Sequence, residues 1–160
     1  MPTLTLTVLG GPLGKGAAQT NRSTGATFNT TRTAEWMGAA RAELAKQLPT
    51  DWQPLDEPCV AFVTAIFARP KTGKNAFKKR PTHPNHGRTR YAQKPDADNI
   101  SKIVCDSITH AGVWRDDCVT DVYVRRRWQA LGEAPRVLVL VVWGDDLGRL
   151  PWPPDALEEW

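Results

Sequence analysis

Polarity alternates at the start of the chain, where Leu4, Leu6 and Val8 interleave with Thr3, Thr5 and Thr7 before Gly10-Gly11-Pro12 ends the run. A period of two puts one set of side chains on each face, so this stretch is predicted to be a half-buried strand. Between Gly10 and Thr31 apolar residues are sparse and Gly, Thr, Asn and Ser are frequent, which predicts a loop. Trp36, Met37, Ala40, Leu44 and Leu48 then recur at helical spacing behind the potential caps Thr31 and Thr33, and the pattern stops before Pro49. Cys59 to Ala68 is β-branched and aromatic, bounded by Pro58 and Pro70, and reads as a buried strand. A second helix is predicted over Asn99–Ala111, with Ile100, Ile103, Val104, Ser107, Ile108 and Ala111 on one face and Gly112 at its exit. Its polar side carries Asp98, Lys102, Asp106 and Thr109. From Val119 to Trp128 the alternation returns, with Val122, Val124, Arg126 and Trp128 on one side and Asp121, Tyr123, Arg125 and Arg127 on the other. Arg136 to Trp143 forms the last apolar strand. The order strand, helix, strand, helix, strand, strand predicts an α+β fold with a mixed β-sheet and helices packed on one side.

Length agrees with one such unit: 160 residues suffice for one hydrophobic core. The domain is predicted over residues 1–144, followed by a Pro-rich acidic tail, 145–160, in which Pro151, Pro153 and Pro154 forbid regular structure. Trp152 and Trp160 in that tail read as part of a disordered or self-docking end. Cys59, Cys105 and Cys118 form no C-x-x-C pair and read as buried thiols. Neither a secretory leader nor a long apolar span stands in the sequence, so no membrane association and a cytoplasmic location are expected.

Charge changes the picture more than composition does. The net charge is +4, but the tail holds five acids against one base, a balance of −4 that leaves +8 on residues 1–144. A basic body favours polyanionic partners, phosphate backbones above all. Arg69 to Pro95 contains no acid, and its Arg69, Lys71, Lys74, Lys78, Lys79, Arg80, Arg88, Arg90 and Lys94 are joined by His83, His86, Phe77 and Tyr91. A loop of that length inside a domain is usually functional or disordered. The candidate DNA contacts are Lys74, Lys78, Lys79, Arg80, Arg88, Arg90 and Lys94, with Phe77 or Tyr91 available to stack on unpaired bases. The two histidines are expected at the surface, and Arg125 and Arg127 beside Tyr123 either extend the basic surface or form a solvated strand face.

Directly after this loop stands Lys94-Pro95-Asp96-Ala97-Asp98-Asn99, with Lys102 one turn beyond Asp98 and Arg115-Asp116-Asp117 beyond the helix. Pro95 disfavours helix at Lys94, and Asp98 suits a helix N-cap. Asp96 and Asp98 would then share one side of an extended segment, where two carboxylates repel unless a cation lies between them. Hard oxygen donors select Mg²⁺ or Mn²⁺. Either Asp116 or Asp117, arriving after the helix has reversed the chain, would complete the set. The other reading of these acids, turn and cap residues without a ligand, stays open, whereas an EF-hand loop fails at Ile100, Ser101 and Ser107.

The run Lys94-Pro-Asp-Ala-Asp-Asn-Ile-Ser-Lys102, then Asp106-Ser107, then Ala111-Gly-Val-Trp-Arg-Asp-Asp117 resembles the signature D-x-D-N-x-x-K, helix, G-x-W-x-D-D of the RusA-type Holliday junction resolvases. The resemblance extends more loosely to Gly11-Pro12-Leu13-Gly14-Lys15-Gly16, as in phage-type members. It implies a homodimeric, Mg²⁺-dependent endonuclease of the bacterial cytosol, with Mn²⁺ as an alternative ion, cutting four-way DNA junctions by paired nicks in recombination and repair. By position, Asp96, Asp98 and Asp117 would bind metal and Lys102 would serve catalysis. Only Cys118 precedes Val119 where many members have two residues, which leaves Asp116 and Asp121 as alternatives to Asp117. The competing function, from another class, is a basic protein that binds branched DNA without cutting it.

Overall fold

A computed structural model describes residues 1–15, 19–20, 22–25, 27–78, 83, 86–87, 89–145 and 147–149. The strands are β1 (Thr3–Leu9), β2 (Gln19–Thr20), β3 (Thr27–Phe28), β4 (Cys59–Phe67), β5 (Thr120–Trp128) and β6 (Arg136–Trp143). The helices are α1 (Thr31–Gln47), between β3 and β4, and α2 (Ala97–Ala111), between β4 and β5. Four strands form one sheet in the order β1-β6-β4-β5, with β4 and β5 parallel and the other two pairings antiparallel. A parallel pair needs a crossover, and the connection from β4 to β5 carries both the basic loop and α2. The fold is α+β with a mixed sheet, as the sequence pattern predicts.

Register decides which side chains meet. Leu6, Val139, Val63 and Val124 lie in one row across the four strands, and Leu4, Val141, Ala61 and Val122 in the next. Both helices cover this face: Ala40 and Leu44 of α1 and Ile100, Ile103, Val104 and Ile108 of α2 join its core. The opposite face holds a smaller cluster of Val60, Phe62 and Val142, against which Leu140 and Leu147 pack. Leu147 belongs to a 3-10 turn, Leu147–Arg149, in the segment expected as tail, while 150–160, including Trp152 and Trp160, lie outside the described residues. The outer edge of β1 is closed by α1, because Gln47 accepts from the Thr7 N–H at 2.8 Å and donates to its carbonyl at 2.7 Å. Covering of this kind blunts that part of the edge against pairing with another chain.

Three boundaries differ from expectation. The segment 10–31 contains the short antiparallel pair β2–β3, too brief to leave a periodic signal. The cap of α1 is Thr30, which accepts from the Thr33 N–H at 3.4 Å, one residue before the expected Thr31. Helix α2 begins at Ala97, with Asp96 as N-cap, so Asp98 is inside the first turn and not at the cap. Ala97 is a strong helix former and carries the helix back to the extended Asp96. No helix among the described residues is long and apolar enough to cross a membrane.

Candidate active site

The acid-bearing loop runs directly into α2. The Asp96 backbone is extended (φ −74°, ψ 162°), its carbonyl accepts from the Ile100 N–H, and its carboxylate makes no cap hydrogen bond. That carboxylate is exposed. Asp98, one helical step beyond Ala97, is also exposed and takes a hydrogen bond from Lys102 Nζ at 3.2 Å. The Lys102 ammonium holds the Asp98 carboxyl below its ordinary range, with help from the Asn99 N–H. Since Asp98 is helical, the expectation that the two acids share one side of an extended segment does not hold; Asp96 is the cap and Asp98 stands in the first turn.

After α2, Gly112 takes the left-handed conformation (φ 81°) and its N–H bonds back to the last turn. A side chain there would be strained. Val113 and Trp114 are then buried, Trp114 Nε1 donates to Thr109 Oγ1 at 2.7 Å, and Arg115 N donates to Leu55 O at 2.9 Å. These contacts fix the chain just before the acid pair. Asp116 is used as a cap: its carboxylate accepts from Cys118 N at 2.9 Å, which also lowers its pKa. Asp117 opens the short 3-10 turn Asp117–Val119 with an exposed side chain. Its charge reaches α2, for burial foremost, then Asp117 and Asp106, push the Cys105 thiol up to about 11 despite a hydrogen bond from Ser101. Asp121 sits across from Val60, on the strand face turned away from the helices.

Three exposed carboxylates with one lysine among them are a donor set suited to a hard divalent cation. Among the described residues, however, no three His, Cys, Asp or Glu side chains are gathered into a finished metal cage.

The basic loop is only partly what its composition predicts. Lys74, Lys78, Arg90 and Lys94 are exposed, whereas Lys79, Arg80 and Arg88 lie outside the described residues. Arg69, 7% exposed, is structural: its guanidinium donates to the carbonyls of Gln129, Asn75 and Gly87 at 3.1 Å each and to Thr89 Oγ1 at 2.7 Å. Phe77 lies under that guanidinium and edge-on to His86, whose Nε2 meets the Lys78 carbonyl. His83 and His86 are half-buried. Tyr91 is buried, stacked on Phe67 at 3.7 Å between ring centroids, and cannot present its ring to a base. Arg127 is 1% exposed and paired with Glu133, so it does not belong to the basic surface. Of the three thiols expected to be buried, Cys118 is exposed.

Sequence reasoning passed over the residues that frame the acid loop. Arg126 Nη1 donates to the carbonyls of Gln93 and Pro95, each at 3.0 Å, and the Tyr91 hydroxyl donates to the carbonyl between them, Lys94. From the other side, Gly14 lies so close to Pro95 that a β-carbon there would overlap the proline ring. Lys15 donates its N–H to Asn99 O at 2.9 Å and pairs with Asp106. One signal was available: a charged Arg126 on the same side of its strand as Val122, Val124 and Trp128 must find acceptors, because an unpaired buried charge is costly.

The sequence profile of the family described as Endodeoxyribonuclease RusA matches residues 10–142, most of the chain. The chain belongs to the RusA family. That match spans β2 through β5, all of β6 but Trp143, both helices and every acid described above. No curated protein is similar enough to the chain to be matched to it. Membership makes the chain one of a family of endodeoxyribonucleases, and the fold agrees with it.

Proposed function

We propose that the protein is a divalent-metal-dependent endonuclease that resolves four-way DNA junctions by paired nicks, acting as a homodimer on one junction. Supporting the reading above all is Asp96: a carboxylate left unused for capping, at the mouth of a loop whose carbonyls from Gln93 to Asp96 all have donors. Asp96, Asp98 and Asp117 would hold Mg²⁺, or Mn²⁺ in its place. Asp117 is preferred to Asp116 because the latter's carboxylate is occupied by the Cys118 N–H. A bound divalent ion would supply Lewis-acid polarisation of the scissile phosphate and an activated water. Lys102 would bring positive charge to the phosphate undergoing substitution, with Asp98 restraining its ammonium until DNA arrives. Lys74, Lys78, Lys79, Arg80, Arg88, Arg90 and Lys94 would contact phosphates, without reading bases. Two-fold symmetry matches one acid set to each of two equivalent strands. The nuclease domain is assigned to residues 1–144 and the acidic segment 145–160 is taken as its tail, whose Leu147 packs back on the sheet.

The deciding experiment incubates the protein with a synthetic four-way junction, a duplex and a flap in EDTA and in Mg²⁺. Junction binding in EDTA and cleavage in Mg²⁺ are expected. Asp96→Asn and Asp98→Asn should each slow cleavage by more than about a hundredfold, beyond what loss of an outer-shell partner costs, with junction affinity within a few fold. Binding that never becomes cleavage in any divalent ion would favour the non-catalytic junction binder instead.

A further inference from the structure

We infer that Arg126, together with Tyr91, is a positioning residue for the acid loop, fixing where Asp96 presents its carboxylate. The inference rests on the proposed role of Asp96 and Asp98 as ion ligands. Arg126 occupies the helix-covered face of β5, opposite the small side chain of Ala65. A guanidinium on that face is stable only with acceptors, and those it finds are the carbonyls of Gln93 and Pro95, on either side of Lys94. The third carbonyl of the run, Lys94 O, takes the Tyr91 hydroxyl. That hydroxyl has little freedom, because its ring is stacked on Phe67 and set edge-on to Trp128 at 4.6 Å.

The backbone binds the same residues again. Tyr91 N donates to Arg126 O at 3.2 Å and Trp128 N to Thr89 O at 2.8 Å, so Thr89 to Tyr91 runs along the outer edge of β5. With Asp96 O bonded to Ile100 N, every carbonyl from Gln93 to Asp96 has a donor, and the Asp96 carboxylate is left facing out with no cap bond. Such a loop has no backbone acceptor to exchange for another, so its acid is presented in one place. Preorganisation of this kind is what a ligand set needs if the ion is not to supply the ordering energy itself.

The test uses the full chain and three variants, Arg126→Gln, Arg126→Lys and Tyr91→Phe, the last keeping the ring stack while removing only the hydroxyl. Two quantities are read: ¹⁵N relaxation of the Lys94, Asp96 and Ala97 amides, and Mn²⁺ affinity by electron paramagnetic resonance without DNA. Arg126→Gln should loosen those amides and weaken Mn²⁺ binding about tenfold, Tyr91→Phe about threefold, and Arg126→Lys should recover part of the loss. The direction is diagnostic, because removing a cation near an acid cluster strengthens metal binding by Coulomb's law alone. Unchanged relaxation in both Arg126→Gln and Tyr91→Phe overturns the inference, whatever the metal does. So does a loosened loop with Mn²⁺ binding equal to or tighter than wild type, provided Asp96→Asn abolishes that binding. If wild type binds no Mn²⁺, or Asp96→Asn binds it equally, the ion-ligand reading fails instead, and the relaxation data alone decide whether Arg126 holds the loop.

Discussion

From Gln93 to Pro95 each backbone carbonyl accepts a hydrogen bond from a side chain of the fold, Arg126 or Tyr91, and the acids that follow are exposed. The basic loop that precedes this run is built the other way: its backbone is gathered by the buried Arg69, while Lys74, Lys78 and Arg90 stand at its surface. Under the proposed function the contrast follows from what each charge would do. A group that meets a reacting atom loses rate steeply when misplaced by an ångström, so its backbone has to be fixed. Cations that meet a phosphate backbone act through screened, sequence-independent attraction and tolerate displacement. Charge that is buried, as in Arg69 and Arg127, serves the frame, and under the proposed function the exposed charge serves the substrate.

Removing Arg69 is the largest challenge to that division. Arg69→Met leaves the carbonyls of Gln129, Asn75 and Gly87 without their donor, and each unsatisfied group costs about 1–3 kcal/mol when buried. Allowing for water at part-buried sites, a loss of about 3 kcal/mol is expected, or roughly 6–12 °C in Tm for a chain of this size. Thermal unfolding measures it. An unchanged Tm with weakened DNA binding would make Arg69 a phosphate contact after all.

Glu133 tests the same division through pH. Hydrogen bonding from Arg127 first, then the Ala130 N–H and the charges of Arg127 and Arg136, hold its carboxyl at about 2 against an ordinary value of 4.5, outweighing burial. A depressed folded-state pKa means that this stabilisation is complete above about pH 4.5 and is lost as pH falls toward 2. Urea unfolding of wild type and Glu133→Gln should differ by on the order of 3 kcal/mol at pH 7 and converge near pH 2. A gap independent of pH would show that packing, and not the ion pair, is what Glu133 contributes.

Gly14 tests the other side of the acid loop, where it lies against Pro95. Gly14→Ala must push the proline ring and with it Asp96, so cleavage should fall about ten- to hundredfold while junction binding in EDTA is retained. Wild-type cleavage by this variant would show that the strap at Gly14–Lys15 gives way without moving the acids.

Much of this frame was legible in the sequence, because alternation and helical spacing report burial of short apolar side chains. The period of two in Leu4–Val8 became β1, the bounded run Cys59–Ala68 became β4 with its end one residue earlier, at Phe67, and the span Arg136–Trp143 became β6 without a change of boundary. The acids were legible as a motif, and their family is shown by the match over residues 10–142. What local pattern cannot report is where a long polar side chain ends. Arg127 and Tyr91 look like surface groups in sequence, yet their partners, Glu133 on one hand and Phe67 with Lys94 O on the other, come from turns and strands that only the fold brings near. The helix start at Ala97 was missed for a different reason: either Asp96 or Asp98 can cap, and tertiary bonds to Pro95 decided between them.

The smallest expected effect concerns the exposed cations of the basic loop. Lys74, Lys78 and Arg90 project from a backbone that Arg69 fixes elsewhere, so replacing them should leave Tm nearly unchanged, unlike Arg69→Met. Each that neutralises a phosphate releases condensed counterions on binding, and its removal should lower the slope of log affinity against log salt by about 0.9 on duplex arms. Stepwise replacement by Gln, extended to Lys79, Arg80 and Arg88, would therefore trace how many of these residues touch DNA, with junction and linear duplex losing slope together because phosphates carry no sequence. A slope unmoved after four substitutions would remove the loop from the DNA interface, and one that fell on the junction alone would make it a reader of branch geometry rather than of charge.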